Sequence, residues 1–180
     1  MKVHIWFALR IVLATTIFFA ISAFAQSPAT APGPIPPALL NAHSVFVSNA
    51  GSDSGLFPEP FTGDPDRPYS EFYGLLKSSN AFTLAPDPSQ ADLVLELQLT
   101  APAGPTRGSK QLGAADPVPM FRLVVYDRPS HFILWTETQS IEIALLQKTH
   151  DRNFDSALDA LFNRFLQVAG KPPVTANTSH

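Results

Sequence analysis

Apolar and polar residues alternate most regularly in the second half of the chain. In ADLVLELQLT (91–100) the leucines at every second position share one face, and most residues between them are polar. FRLVVYD (121–127) and HFILWTET (131–138) alternate in the same way around a turn that we predict to start at Arg128, with Pro129 second. A period of two is typical of β-strands with one buried face. The pattern therefore predicts a leucine-faced strand beside a β-hairpin.

Apolar residues at spacings of three and four predict two amphipathic helices. The first has Pro68 in its first turn and stops near Asn80. The second is predicted to begin with Asn153 as its N-cap and to end before Gly170. Each helix therefore has one apolar stripe to bury.

Two shorter apolar runs complete the predicted elements. Residues 43–48 indicate a strand, and residues 82–84 indicate a brief edge strand. The order is then strand, helix, four strands and helix, which is typical of an α+β domain. The polar face of 91–100 suits an antiparallel neighbour. We therefore predict a small mixed, mostly antiparallel sheet with both helices packed on its leucine-rich face.

The first 25 residues predict an export signal. A positive leader precedes an apolar run, and Ala23-Phe24-Ala25 places small residues before Gln26. This is the pattern of a cleaved secretory signal, whose apolar segment has ~7–15 residues. The alternative is a retained membrane anchor, but Ile11 to Ala25 is shorter than the ~20 residues of a spanning helix. We expect an exported protein, periplasmic or secreted, with no stable membrane span after cleavage.

Proline divides the remainder of the chain. All 18 prolines follow the leader, and the proline-rich stretch 26–37 predicts a disordered spacer. Residues 38–170 predict a single domain, and the tail 171–180 is predicted to be disordered. Two more proline-rich stretches, 58–68 and 101–119, are predicted to be long loops inside the domain. Whether the second of these loops is functional or disordered stays open.

Charge and composition exclude several classes of function. Without the leader, the chain has ten basic and fifteen acidic residues, a formal charge of −5. This charge argues against nucleic acid and against an anionic membrane surface as partners. The sequence has no cysteine, which excludes disulfides, thiolate metal sites, cysteine nucleophiles and a lipid anchor on cysteine. No cofactor is predicted.

The polar residues form no catalytic or metal-binding motif. The histidines between 43 and 150 lack the i, i+2 or i+4 spacing that lets two histidines share a metal. The acidic loop 53–66 fits no EF-hand, and there is no Gly-x-Ser-x-Gly element. We therefore predict neither a metal nor catalytic residues. The alternative is a small hydrolase with carboxylates that the sequence cannot place, since Glu96 and Glu137 are predicted to share an exposed face.

The polar face of the hairpin is the best candidate for a binding surface. Strict alternation places Arg122, Tyr126, Trp135 and Glu137 together on this face. Tyrosine, tryptophan and arginine carry much of the binding energy at protein interfaces. A β-bulge would instead turn Trp135 into the core, and this alternative stays open. The sequence thus favours a surface that binds an envelope or periplasmic protein.

Three short motifs in the strands carry a resemblance to known proteins: Ala91-Asp92-Leu93-Val94, Val124-Val125-Tyr126-Asp127 and Ile133-Leu134-Trp135. Over residues 42 to 169 the chain resembles the amino-terminal α/β domain of the translocation protein TolB and related exported modules, including the CsgG group. The chain departs from this pattern at Arg128-Pro129-Ser130, where those modules place glycine after the aspartate. The resemblance implies a non-catalytic exported module that acts through contacts, often in the cell envelope.

Besides the binding module and the small hydrolase, a plain structural domain is a third possibility.

Overall fold

The computed structural model describes residues 33–102 and 118–174. The predicted signal peptide, most of the predicted spacer, most of the 101–119 loop and the end of the tail lie outside these residues. Contacts within the chain separate a unit that ends at Pro34 from one that begins at Ile35. Every element below belongs to the second unit.

The described chain forms three α-helices and a five-stranded sheet, which confirms the predicted α+β class. The elements are α1 (Pro37–Leu40), β1 (Ser44–Ser52), α2 (Arg67–Ser79), β2 (Thr83–Leu84), β3 (Leu93–Thr100), β4 (Met120–Asp127), β5 (Ile133–Ser140) and α3 (Gln147–Val168). Two short 3₁₀ helices lie at Ser54–Leu56 and Pro88–Gln90.

The sheet is mixed, as predicted, with the strand order β2-β1-β3-β4-β5. β1 is parallel to both β2 and β3, and β4 is antiparallel to both β3 and β5. Antiparallel pairing is therefore confined to one half of the sheet. Parallel neighbours need a crossover connection. The chain that leaves β1 passes through α2 before it returns to the sheet as β2 and then β3.

The hydrophobic core lies between one face of the sheet and the helices. All four leucines on the apolar face of β3 are at most 1% exposed. Cross-strand pairing places them beside the apolar residues of β4, and the helices cover both strands with aromatic side chains. The central members of this layer are Leu95, Leu97, Leu123, Val125, Phe72, Phe154, Phe162 and Phe165.

The ends of α2 match the prediction, but the start of α3 does not. Asn80 ends α2 in the left-handed region, with φ 52°. α3 begins at Gln147, six residues before the predicted cap at Asn153. Its first amides at residues 149 and 150 donate to the carbonyl of Leu146, whereas Asn153 donates its side-chain amide to the Glu142 carbonyl. The first two turns of α3 are mainly polar, so apolar periodicity does not mark where the helix starts.

The two ends of the predicted domain pack onto α3 or the core. Leu39 of α1 is fully buried in the core, although it lies just past the predicted spacer. Gly170 has φ +69° and ends the last helix as predicted. Beyond it, the Val174 amide donates to Asn163 of α3 at 2.9 Å, and Lys171 Nζ lies 5.2 Å from the ring of Phe82.

The turn of the hairpin starts one residue earlier than predicted. His131 donates its amide to the carbonyl of Asp127 at 2.8 Å, and the Asp127 carboxylate accepts from the amide of Ser130 at 3.0 Å. The turn therefore begins at Asp127, and Pro129 is its third residue. His131 takes a φ of 59° to close this longer turn.

The Asp92 carboxylate joins the start of β3 to the start of β1. It accepts hydrogen bonds from the backbone amides of His43 and Ser44, both at 2.9 Å. These bonds, the first to His43, hold the pKa of Asp92 below its ordinary value. Asp92 thus fixes the register of two neighbouring strands at one end of the sheet.

We expect Asp92→Ala to lower the free energy of unfolding by about 1 kcal/mol, because two backbone amides lose their acceptor at a solvent-accessible position. Urea denaturation at neutral pH measures this loss. Asp92→Asn keeps one acceptor oxygen and should lose less. Because the pKa is lowered in the folded state, the contribution is present at neutral pH and is lost as the pH falls below about 3.8. Equal losses for both variants would contradict this role.

Candidate functional site

Cross-strand pairing divides the four predicted binding residues between the two faces of the sheet. Trp135 pairs with Val125 and Glu137 pairs with Leu123, so both lie on the face that the helices cover. Arg122 and Tyr126 lie on the opposite face. The prediction that all four share one surface is therefore wrong.

A β-bulge at Leu134 is the physical reason. Val125 pairs with Trp135, but the next residue, Tyr126, pairs with Ile133, so Leu134 is an extra residue in the strand. Residues 133 and 135 therefore lie on opposite faces, whereas strict alternation places them on the same one. The alternative in which a bulge turns Trp135 into the core is the correct one.

α3 contacts both Trp135 and Glu137 on the helix-covered face of the sheet. The Trp135 ring lies 6.4 Å from that of Phe165, and Trp135 packs against the core. Glu137 lies 4.0 Å from the guanidinium of Arg164, and both side chains stay partly exposed. Neither residue is available to the surface that carries Tyr126.

We call the sheet surface opposite the helices the open face. One row of directly paired, mostly apolar residues crosses four strands on this face: Phe46, Val94, Tyr126 and Ile133. The next row contains Ser48, Glu96, Val124 and Thr136, and the row after it contains Gln98, Arg122 and Thr138. The open face thus changes from apolar to polar along the strands, with Tyr126 in the first row and Arg122 in the third.

Three members of the apolar row, Phe46, Val94 and Ile133, are not among the predicted site residues. Phe46 lies between the buried Val45 and Val47, so the alternating pattern of residues 43–48 indicates that Phe46 lies on the opposite face. Ile133 is 55% exposed on the open face, and its position depends on the bulge. The other three members, Phe46, Val94 and Tyr126, are partly buried. None of the four belongs to the helix-side core of the described residues.

The helix side carries a small acidic cleft between α2 and α3. It has a volume of about 270 Å³ and is lined by Glu71, Gly74, Leu75, Ser78, Asp155, Leu158 and Asp159. Burial raises the pKa of Glu71, against the opposing effect of Arg67. Burial and the charge of Asp155 raise the pKa of Asp159. Glu96 and Glu137, which the sequence suggested as an acid pair, lie on opposite faces of the sheet.

Three acidic residues of the 53–66 loop accept hydrogen bonds from amide groups of the protein. Asp53 accepts from the amide of Gly55 and Asp64 from the amide of Asp66, both at 2.9 Å. Asp66 accepts from the side-chain amide of Asn49 at 3.0 Å. Over residues 33–102 and 118–174, no three His, Cys, Asp or Glu side chains are grouped so that they could hold a metal ion. In the same ranges, no helix is long and apolar enough to cross a membrane.

Comparison with known proteins gives only distant structural likenesses. No family model matches the chain, and a search of curated proteins gives no match. A variant of the PelC dodecamer from Paraburkholderia phytofirmans is similar over 72% of this chain and 88% of its own, with 14% identity and a TM-score of 0.43. Protein XCC0632 from Xanthomonas campestris (family-model DUF330) is similar over 72% of this chain and 85% of its own, with 12% identity and a TM-score of 0.41. These likenesses concern the arrangement of the backbone alone.

Proposed function

We propose that this chain is an exported, non-catalytic α+β module that binds a protein of the cell envelope through its open face. The observation that carries this proposal is the row of Phe46, Val94, Tyr126 and Ile133 on the sheet face away from the helices. Export is supported by the pattern of the first 25 residues, and the contact role by the resemblance to TolB-like modules.

The shape of the open face favours a protein over a small molecule. Small ligands occupy concave pockets, whereas the apolar row lies on a sheet and crosses four strands, a width of about 14 Å at the usual strand spacing. A row of this width fits the apolar side of a helix or strand. Tyr126 is the aromatic residue that we expect to anchor the contact.

Charge further restricts the partner. Arg122 lies two rows from Tyr126 on the same face and is half-buried among uncharged neighbours, Gln98 and Thr138, in its own row. An arginine at the rim of an apolar contact favours a partner with a carboxylate. We therefore expect the partner to present an apolar ridge with an acidic residue about 13 Å from the position that contacts Tyr126, the length of four residues along a strand.

Tyr126→Ala is expected to weaken the binding of the partner by roughly 30-fold, which corresponds to a hot-spot loss of about 2 kcal/mol. The tagged full chain first captures the partner from an envelope extract, and the affinity is then measured with the purified partner. Arg122→Ala should weaken binding less and should reduce its dependence on salt.

Trp135→Phe is the matched control, because it changes an aromatic residue of the neighbouring strand on the helix-covered face. It should leave the affinity unchanged. Unchanged binding by a folded Tyr126→Ala variant, or equal losses for Tyr126→Ala and Trp135→Phe, would overturn the proposal.

The cleft between α2 and α3 supports a second candidate, a small hydrolase that uses carboxylates. The observation that favours it is that Glu71 and Asp159, which both have a raised pKa, line one cleft. Carboxylic acids with raised pKa values can act as general acids near neutral pH. A hydrolytic activity that is lost in Asp159→Asn but kept in Tyr126→Ala would support this candidate over the binding module.

A further inference from the structure

β5 is the last strand of the sheet, and no described strand pairs with its outer edge. Exposed apolar side chains lie at both of its ends. Phe132 and Ile133 at the start are 73% and 55% exposed. Past the other end, Ile143, Leu145 and Leu146 are 46%, 101% and 69% exposed. This edge therefore combines unpaired backbone groups with two apolar patches.

The two edges of the sheet differ in their protection against pairing. Proteins block exposed edges with very short strands, proline or charged residues. The β2 edge is two residues long and is followed by Pro86. β5 has eight residues without proline or lysine. Its one charged residue, Glu137, lies on the helix-covered face near Arg164.

We infer that β5 pairs with β5 of a second copy of this chain, in antiparallel orientation about a two-fold axis. Antiparallel pairing brings the start of each strand beside the end of the other. Phe132 and Ile133 of each copy then reach the patch of Ile143, Leu145 and Leu146 on the second copy. A two-fold contact requires a surface that is complementary to itself, and the two patches satisfy this requirement.

Charge excludes one register of the pairing, and the positions of the apolar patches favour another, in which Ile133 lies opposite Ile143 of the second copy. Residues that face each other in an antiparallel pair point to the same face, so a residue of β5 lies on the axis opposite its own copy. An axis at Glu137 would oppose two carboxylates, which is unfavourable. An axis at Thr138 places Glu137 opposite Gln139 of the second copy.

The same register brings opposite charges together across the axis. An axis perpendicular to the sheet puts both copies of α3 on one face, beside each other. Arg164 is 53% exposed and only 4.0 Å from Glu137, so its guanidinium has room to contact the Glu137 carboxylate of the second copy as well. Charge complementarity on the helix side therefore adds to the apolar contacts at the strand ends.

The contact is small, with a ladder of eight residues and five apolar side chains from each copy. Contacts at the small end of specific interfaces are mostly transient, so we expect a weak dimer with a dissociation constant on the order of micromolar. The contact extends the sheet sideways and leaves the centre of the open face free. The two proposed contacts share Ile133 at the edge of the sheet, whereas Tyr126 and Arg122 lie outside the β5 pairing.

Cysteine substitution tests both the pairing and its register, because the chain has no cysteine of its own. Residues that face each other in an antiparallel pair have Cα atoms about 4.5–5.5 Å apart, which a disulfide can bridge. Thr138→Cys should therefore give a disulfide-linked dimer on mild oxidation. Thr136→Cys is the matched control, since Thr136 faces Ser140 of the second copy and should cross-link poorly.

Sedimentation across micromolar concentrations gives an independent readout. Thr138→Lys and Thr138→Glu should each be monomeric, because like charges then meet on the axis, and an equimolar mixture of the two should associate again. A chain that stays monomeric at all these concentrations would overturn the inference. So would a dimer that survives Thr138→Lys, or cross-linking of Thr136→Cys that equals that of Thr138→Cys.

Discussion

Phe154→Ala is expected to lower the free energy of unfolding by about 4 kcal/mol, within the range for truncating a buried phenylalanine. Phe154 is fully buried, and its ring centroid lies 4.9 Å from that of Phe121 on β4 and 5.2 Å from that of Phe61 in the 57–66 loop. The same ring lies 4.2 Å below the guanidinium carbon of Arg67. One side chain of α3 therefore joins the sheet, the loop and α2.

The large expected loss in the free energy of unfolding follows from these contacts. Truncation removes apolar burial, three edge-to-face or tilted aromatic pairs and a cation–π contact, and leaves a cavity among the neighbouring side chains. Urea denaturation measures the change. Phe154→Leu keeps most of the volume and should lose about half as much. A loss for Phe154→Ala of under about 2 kcal/mol would show that the surrounding aromatic residues collapse into the space.

Arg67→Met is expected to cost about 3 kcal/mol, because it leaves three carboxylates without their shared cation. The Arg67 side chain is 15% exposed and contacts Glu71 at 2.7 Å, Asp151 at 2.8 Å and Asp155 at 2.7 Å. Methionine keeps the packing of the stem and removes only the charge and the donors. Arg67→Lys keeps the charge but cannot bond all three carboxylates. Its free energy of unfolding should therefore lie between those of the wild type and Arg67→Met.

Acid titration of the same variants gives the prediction a second readout. Burial would raise the pKa of Asp151, but hydrogen bonds from Thr62 and then Arg67 outweigh it and lower the pKa to about 2. The stability that Asp151 provides is therefore fully present above about pH 3.8 and is lost as the pH falls toward 2. In Arg67→Met this loss should be smaller and should be complete at a higher pH, because the folded-state pKa of Asp151 then lies closer to its ordinary value. Parallel stability profiles for wild type and variant between pH 7 and 2 would contradict this assignment.

Local signals account for the elements that could be predicted from the sequence. Pro68 and Asn80 mark the ends of α2 through their own backbone preferences, and the leucines of 91–100 define β3 by their period. The bulge at Leu134 has no such signal. It depends on how β5 aligns with a neighbouring strand and on where Trp135 finds room against Phe165, and both are non-local.

The same distinction explains the outcome for the candidate site. Alternation placed Arg122 and Tyr126 correctly on the open face, because β4 pairs with β3 without interruption. Trp135 and Glu137 lie beyond the bulge, so alternation placed them wrongly. Arg67 carries no signal as the centre of a cluster, because two of its carboxylate partners are 84 and 88 residues away.

Two residues that carry the resemblance to TolB-like modules have structural roles here. The carboxylate of Asp92 binds the backbone at the start of β1, and the carboxylate of Asp127 binds the backbone of the hairpin turn. These two aspartates therefore have a structural explanation in this chain, and the resemblance to TolB-like modules stays a prediction.

Site-specific photo-cross-linking in cells that export the full chain tests the binding face most directly. A photoreactive phenylalanine derivative replaces Tyr126 on the open face or, as a control, Tyr73, which is 38% exposed on α2. We predict a discrete adduct with an envelope protein from position 126 and none from position 73. Adducts from position 73 alone, or the same adducts from both positions, would contradict the proposal that this module binds its partner through the open face of the sheet.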